Sequence, residues 1–168
     1  SQHYEQIQKK RQRRPCLTPT DFHLMKKLLL TAAMCFPIFS TTHAFTPDET
    51  VAITILAEAR GEGEAGMYAV ACVIAQRSLD RKITPAEVCL QKWQFSCWNP
   101  NDPQRGKLGR LLTLSEAEYA LSLVKNITRL DRSYVGYANH YHTHRVSPRW
   151  SRGKTPVKTI KNHRFFRL

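Results

Sequence analysis

The stretch at 51–57, VAITILA, is apolar on almost every side of a helix, whereas a surface helix carries a single apolar stripe. The preceding TPDE at 46–49 is typical of a helix start. It combines a threonine cap, a proline in the first turn and a glutamate three residues after the cap, which together form a capping box. We therefore predict a central helix that runs to about Arg60 and is broken by the glycines of GEGEAG at 61–66.

The pattern predicts three further helices. Apolar residues recur from about Met67 to Leu79, and TPAE at 84–87 repeats the capping-box pattern and opens a short helix. A fourth helix is predicted from Ser115 to about Thr128. The intervening residues 91–112 are rich in Asn, Pro, Gly and Arg and are predicted to form a loop.

After Asp131 the chain changes to aromatic and β-branched residues. SYVGYANHYH at 133–142 is predicted to be a strand, and VKTIKNHRFF at 157–166 its antiparallel partner. With helices first and strands last, the sequence predicts an α+β fold. We expect one domain over 45–168 with a mainly helical core and a small C-terminal antiparallel β-hairpin or sheet.

The segment 25–44, MKKLLLTAAMCFPIFSTTHA, is typical of a secretory signal peptide, with lysines, a short apolar run and small residues before a predicted cleavage after Ala44. Its apolar run is shorter than the roughly 20 residues that span a bilayer, so we expect no stable membrane insertion after cleavage. Residues 1–24 are expected to be disordered or foreign to the natural protein. The domain is expected to be exported to the periplasm or cell envelope as a monomer.

Charge and cysteine content refine this interpretation. Residues 45–168 hold 19 Lys and Arg against 11 Asp and Glu, a net charge of +8 that favours a polyanionic partner. For an exported protein we expect an acidic wall polymer and no nucleic acid. Cys89 and Cys97 lie eight positions apart and are expected to form a disulfide outside the cytoplasm, the alternative being free thiols.

Glu58 is the candidate for acid chemistry. On a helix it shares a face with Val51 and Ile55, so its carboxyl group is expected to be partly desolvated. Desolvation raises the pKa of a glutamate and keeps it protonated, which is the state that donates a proton. Glu62 follows one turn later and would disfavour ionisation of Glu58 if the helix continued. The alternative is a structural carboxylate that reaches solvent or pairs with an arginine.

Five motifs occur in one order along the chain. They are AEARGEGEAGMYAVACVIAQRS at 57–78, QFS at 94–96, ANHYH at 138–142, PRW at 148–150 and NHRFFR at 162–167. Together they resemble the SleB-type cell wall hydrolases, which include spore-cortex-lytic enzymes. The resemblance extends from about residue 48 to the C-terminus.

This resemblance implies a lysozyme-like core that cuts the MurNAc-GlcNAc glycan strands of peptidoglycan without a cofactor. The catalytic glutamate of the family motif corresponds to Glu58, and Glu62 matches its second acid. This chain has Ala57 where many relatives have glycine. We expect a lytic transglycosylase, because its reaction requires one carboxylic acid, whereas simple hydrolysis would need a second carboxylate such as Glu62.

Side chains that suit a glycan groove complete the candidate site. We expect substrate contacts from Gln94, Phe95, Ser96, Tyr141 and His163, with Trp150 as a further aromatic candidate and a core position for Phe95 as the alternative.

Two other functions are weighed against this one. His140, His142 and His144 alternate along the predicted strand, as in a zinc-dependent amidase that releases stem peptides and would lose activity with a chelator. We favour solvent-facing histidines and no metal, because spacing fixes no further ligand nearby. A wall-binding module without activity would leave the AEARGEGEAG motif unexplained.

Overall fold

The computed structural model describes residues 45–168, so the predicted signal peptide and the segment before it lie outside the described residues. In residues 45–168, four α-helices are followed by a three-stranded sheet, which confirms the α+β class. Within this range, no helix is long and apolar enough to cross a membrane. The elements are α1 Pro47–Ala59, α2 Gly63–Arg81, α3 Pro85–Leu90, α4 Ala117–Lys125, β1 His140–Thr143, β2 Lys158–Ile160 and β3 His163–Phe166.

Helix α1 is the centre of the fold. Its capping box forms as predicted: the Thr46 amide donates to Glu49 Oε2 at 2.8 Å, and the Glu49 amide donates to the Thr46 hydroxyl at 3.2 Å. Every residue at 50–56 is buried, and α1 contacts α2, α3 and α4. The predicted central helix is confirmed, because an all-round apolar surface is stable only when other elements cover it.

The glycines after α1 interrupt the helix for only three residues. A 3₁₀ turn covers Arg60–Glu62, and α2 begins at Gly63, earlier than the predicted start at Met67. Gly63 has φ +69°, a left-handed conformation that favours glycine. A Cβ atom at Gly66 would lie 2.3 Å from Glu62 Cβ, so this position also requires glycine.

The region 91–112 is more ordered than the predicted loop. It contains 3₁₀ helices at Ser96–Trp98 and Arg105–Thr113. The Trp98 indole donates a hydrogen bond of 2.8 Å to the hydroxyl of Thr54, which holds this region against α1.

The predicted strand at 133–142 is largely wrong. Residues Arg132–Val135 form a 3₁₀ helix, and only the last three residues of the prediction lie in β1. The predicted single strand at 157–166 is instead a hairpin of β2 and β3, with Lys161 at φ +52° in the turn. The sheet order is β1-β3-β2, and Tyr141 pairs with Phe165, so the predicted antiparallel pairing is confirmed for β3.

Hydrogen bonds connect the sheet region to the C-terminal end of α2. Asp80 accepts from Gln76 at 2.8 Å, from the Asn139 side chain at 3.1 Å and from Arg167 at 2.6 Å. Arg77 Nε donates to the Asn139 carbonyl at 2.6 Å. These contacts set the position of β1, and therefore of Tyr141, relative to the helices.

Candidate active site

Glu58 lies in the last turn of α1 and meets a side chain from the far end of the chain. The Tyr141 hydroxyl donates a hydrogen bond of 2.7 Å to Glu58 Oε2. Burial raises the pKa of Glu58, while the Tyr141 hydrogen bond and the charge of Arg77 act in the opposite direction. The net shift is upward, which is the direction expected from its apolar helix face. Glu58 therefore remains protonated to a higher pH than an exposed glutamate.

Arg77 is a buried cation that the sequence analysis did not single out. It is only 6% exposed, and its guanidinium group lies 5.3 Å from the centre of the Phe95 ring. Burial lowers the pKa of Arg77, whereas Tyr141 and Glu58 raise it. Its Nη1 atom is buried without a hydrogen-bond partner. An unpaired buried donor is costly in a folded protein, so this group is available to stabilise negative charge beside Glu58.

Glu58 opens onto a cleft of about 220 Å³ between α1 and the 3₁₀ region. Most of its lining residues are polar or charged, and the rest are apolar. Such a surface suits a hydroxyl-rich polymer better than an apolar ligand. The lining residues are Ala57, Glu58, Arg60, Ser96, Cys97, Asp102, Gln104, Lys107, Leu108 and Leu111.

The three residues of the QFS motif separate in the structure. Ser96 lines the cleft, and its substrate contact stays a prediction. Phe95 is 2% exposed and belongs to the core, which was the alternative interpretation. The Gln94 side-chain oxygen accepts a hydrogen bond of 3.1 Å from Arg81. The structure therefore brings only Ser96 together with Glu58.

Tyr141 and His163 lie side by side on the sheet. Their rings meet edge to face with centres 5.1 Å apart. His163 is buried, and burial lowers its pKa, so the neutral imidazole is favoured. Neither His163 nor Tyr141 is among the residues that line the cleft, and His163 packs against the ring that contacts Glu58.

Glu62 is held away from Glu58. It accepts hydrogen bonds from the Asn162 side chain at 2.9 Å and the Asn162 amide at 3.1 Å, which lower its pKa. Because α1 ends at Ala59, Glu62 does not follow Glu58 by one helical turn, and it is not among the groups that shift the pKa of Glu58. Its observed contact connects the start of α2 to the turn between β2 and β3. The carboxylate that shares the cleft with Glu58 is Asp102, which the sequence analysis missed.

The predicted disulfide is not formed. Cys89 and Cys97 are free, buried thiols, as is Cys72. Cys89 packs in the core and hydrogen-bonds with the Thr54 side chain, whereas Cys97 lines the cleft. Burial raises the pKa of both Cys89 and Cys97 to about 12, so both stay protonated.

The alternating histidines do not form a metal centre. His140 and His142 pack against Trp150, with ring centres 5.2 and 5.5 Å away. Among residues 45–168, no group of three His, Cys, Asp or Glu side chains is placed to hold a metal ion. The zinc-dependent alternative therefore gains no support from this part of the chain.

Comparison with known proteins gives one result. A family model described as Cell Wall Hydrolase matches residues 61–166. The match covers the cleft region at 91–112 and the strand that carries Tyr141, and it begins three residues after Glu58. No curated protein and no solved structure matches the chain significantly.

Proposed function

Because the chain belongs to the SleB-type cell wall hydrolase family, whose enzymes act on peptidoglycan, we propose that it cleaves the MurNAc-GlcNAc glycan strands with Glu58 as general acid. The observation that carries the proposal is the environment of Glu58. A buried carboxyl group with a raised pKa opens onto a polar cleft and is hydrogen-bonded to Tyr141. This combination provides an acid that stays protonated to a higher pH than an exposed glutamate, and a partner that stabilises its conjugate base.

The first step is proton transfer to the glycosidic oxygen. Glu58 donates its proton to the oxygen between C1 of a muramic acid residue and the neighbouring glucosamine. The C1–O bond breaks, its electron pair stays on the oxygen, and positive charge develops at C1. The Tyr141 hydroxyl and the Arg77 cation both favour the carboxylate that Glu58 becomes.

The second step reuses the same carboxylate. Glu58 accepts the proton of the muramoyl C6 hydroxyl as that oxygen bonds to C1, which closes a 1,6-anhydro ring and restores the protonated acid. One carboxyl group is therefore sufficient for lytic transglycosylation. The position of Glu62 against Asn162 is consistent with a reaction that does not use it.

Simple hydrolysis is the second candidate, because Asp102 shares the cleft with Glu58. A second carboxylate can activate a water molecule or stabilise the charge at C1. The products separate the two reactions. Transglycosylation gives anhydro-muropeptides, hydrolysis gives reducing ends, and an amidase would release free stem peptides.

The test is digestion of purified sacculi followed by mass spectrometry of the soluble products. We expect Glu58→Gln to lower the release of muropeptides by about 10²- to 10⁴-fold, as for loss of a general acid. Glu118→Gln is the matched control, because Glu118 is exposed on α4 and does not line the cleft. A folded Glu58→Gln protein that digests sacculi at the unmodified rate would contradict the proposal.

We also propose that the enzyme acts outside the cytoplasm, as its family indicates. The predicted signal peptide at 25–44 would supply the export route. Its sequence supports this proposal, although it lies outside the described residues.

A further inference from the structure

The excess of positive over negative charge in the domain comes from its C-terminal part. Residues 132–168 contain six Arg and three Lys and have no Asp or Glu. Residues 45–131 contain ten Lys and Arg against eleven Asp and Glu. The helical part is therefore almost neutral, and the excess of positive charge lies in the part of the chain that forms the sheet.

Part of this charge lies near Trp150, which packs on the sheet face opposite Glu58. Paired residues of an antiparallel sheet point to the same face, so Tyr141 and Phe165 share the face towards Glu58. His142 and Phe166 belong to the other face, where Trp150 packs against both, with ring centres 5.5 and 5.3 Å away. Side chains alternate along a strand, and the two faces are therefore distinct surfaces.

An open depression lies beside Trp150, and we call it the basic surface. Arg149, Arg152 and Lys154 are exposed there, and within the described chain their side chains make no ion pair or hydrogen bond. Arg167, by contrast, is paired with Asp80. The basic surface is formed by Arg149, Trp150, Arg152, Lys154, Thr155, Arg167 and Leu168.

We propose that the basic surface binds the carboxylates of peptidoglycan stem peptides, as a contact with the wall that is separate from the glycan cleft. The proposal rests on the proposed function, since it takes peptidoglycan as the substrate. Stem peptides carry several carboxylates along each strand, and arginine pairs with carboxylates through two parallel hydrogen bonds. A second contact raises the effective concentration of glycan at the cleft.

The position of the surface fits this role. It shares no lining residue with the cleft, so a peptide can occupy it without displacing the glycan beside Glu58. Its three unpaired cations lie within six residues of one another and form one continuous target for closely spaced anions. Long-range attraction of this kind weakens as salt screens the charges.

The test measures binding to intact sacculi in a Glu58→Gln background, which keeps the polymer uncut. We expect removal of the three unpaired cations to raise Kd about tenfold at low salt, since each exposed pair contributes modestly. The difference should shrink at high salt. The test variant is Arg149→Ala/Arg152→Ala/Lys154→Ala, and the matched control is Lys82→Ala/Lys92→Ala/Lys125→Ala, which removes the same charge from exposed positions elsewhere.

Two probes identify the ligand. Amidation of the carboxyl groups of the sacculi should weaken binding of the Glu58→Gln protein. Its Kd should then be similar to the Kd of the triple variant on untreated sacculi. Equal binding by the test and control variants would overturn the proposal, as would undiminished binding to amidated sacculi. A triple substitution that weakens binding to phosphatidylglycerol vesicles but leaves binding to sacculi unchanged would also overturn the proposal. That result would indicate a lipid surface as the partner.

The same samples report on the proposed function independently. Release of muropeptides by the Glu58→Gln background at the unmodified rate would contradict the role of Glu58. The fraction of protein bound to the sacculi is measured in the same samples. Comparison of the test and control variants still shows whether the cations of the basic surface contribute to binding.

Discussion

The hydrogen bond between Tyr141 and Glu58 provides the sharpest test of the proposed acid. Tyr141→Phe removes a single oxygen, the one that donates to Glu58 at 2.7 Å. This hydrogen bond favours the ionised carboxylate, so its loss raises the pKa of Glu58 further. A general acid acts while protonated. The alkaline limb of the pH–rate profile should therefore move to higher pH.

The same substitution should lower the maximal rate. A hydrogen bond to a charged group contributes about 1.5–3 kcal/mol. If the proton is about half transferred in the transition state, about half of this stabilisation is lost there. A loss of about 0.75–1.5 kcal/mol corresponds to a rate about 4- to 13-fold lower on the acid side of the profile.

The assay follows release of soluble muropeptides from sacculi over a range of about pH 4 to 9, which covers the limb that a general acid controls. Tyr137→Phe is the control, because this ring is 52% exposed and lies away from the cleft. An alkaline limb that stays in place or moves to lower pH in a folded Tyr141→Phe protein would refute the reasoning. A uniform fall in rate would mean that Tyr141 only packs.

Two further predictions concern stability. Folding raises the pKa of Glu58 above its value in the unfolded chain. The stability that the protonated Glu58 contributes is therefore lost as the pH rises through the pKa of the folded state. The Glu58→Gln protein should therefore be more stable than the parent at alkaline pH and similar to it at acid pH. Urea unfolding of both proteins at the two pH values measures this difference. Burial raises the pKa of Asp80, but hydrogen bonds from Arg167, Asn139 and Gln76 outweigh burial and hold this pKa below its ordinary value. Asp80→Asn should lose about 1–3 kcal/mol in the same assay, and unchanged stability would contradict a fastening role.

Local signals along the chain predicted the helices well. Both capping boxes form, at Thr46 and Thr84, because their hydrogen bonds join residues only three positions apart. The strand prediction failed where turn chemistry outweighed composition. At Asp131 the side chain accepts a hydrogen bond from the Ser133 amide, and Gly136 takes φ +61°, so this aromatic and β-branched stretch turns instead of extending.

The site was predictable in part. Glu58 stands out as an acid on an apolar helix face, but its partner Tyr141 is 83 residues away and no spacing connects them. Arg77 carried an unused signal, because it continues the apolar face of Val70, Val73 and Ile74 at helical spacing. Asp102 lies in a stretch without periodicity, and only the folded chain brings it to the cleft.

With Glu58 as the proposed acid, its pairing with Tyr141 makes activity depend on the completion of folding. A polypeptide still emerging from a ribosome or a translocation channel carries Glu58 long before the strand that completes its surroundings has appeared. Until β1 docks on α2, the glutamate lacks its hydroxyl partner and part of its apolar cover, and titrates as an ordinary solvated acid. Fragments that stop short of residue 141 should therefore be catalytically silent, and a nascent chain should not damage the wall of the cell that makes it.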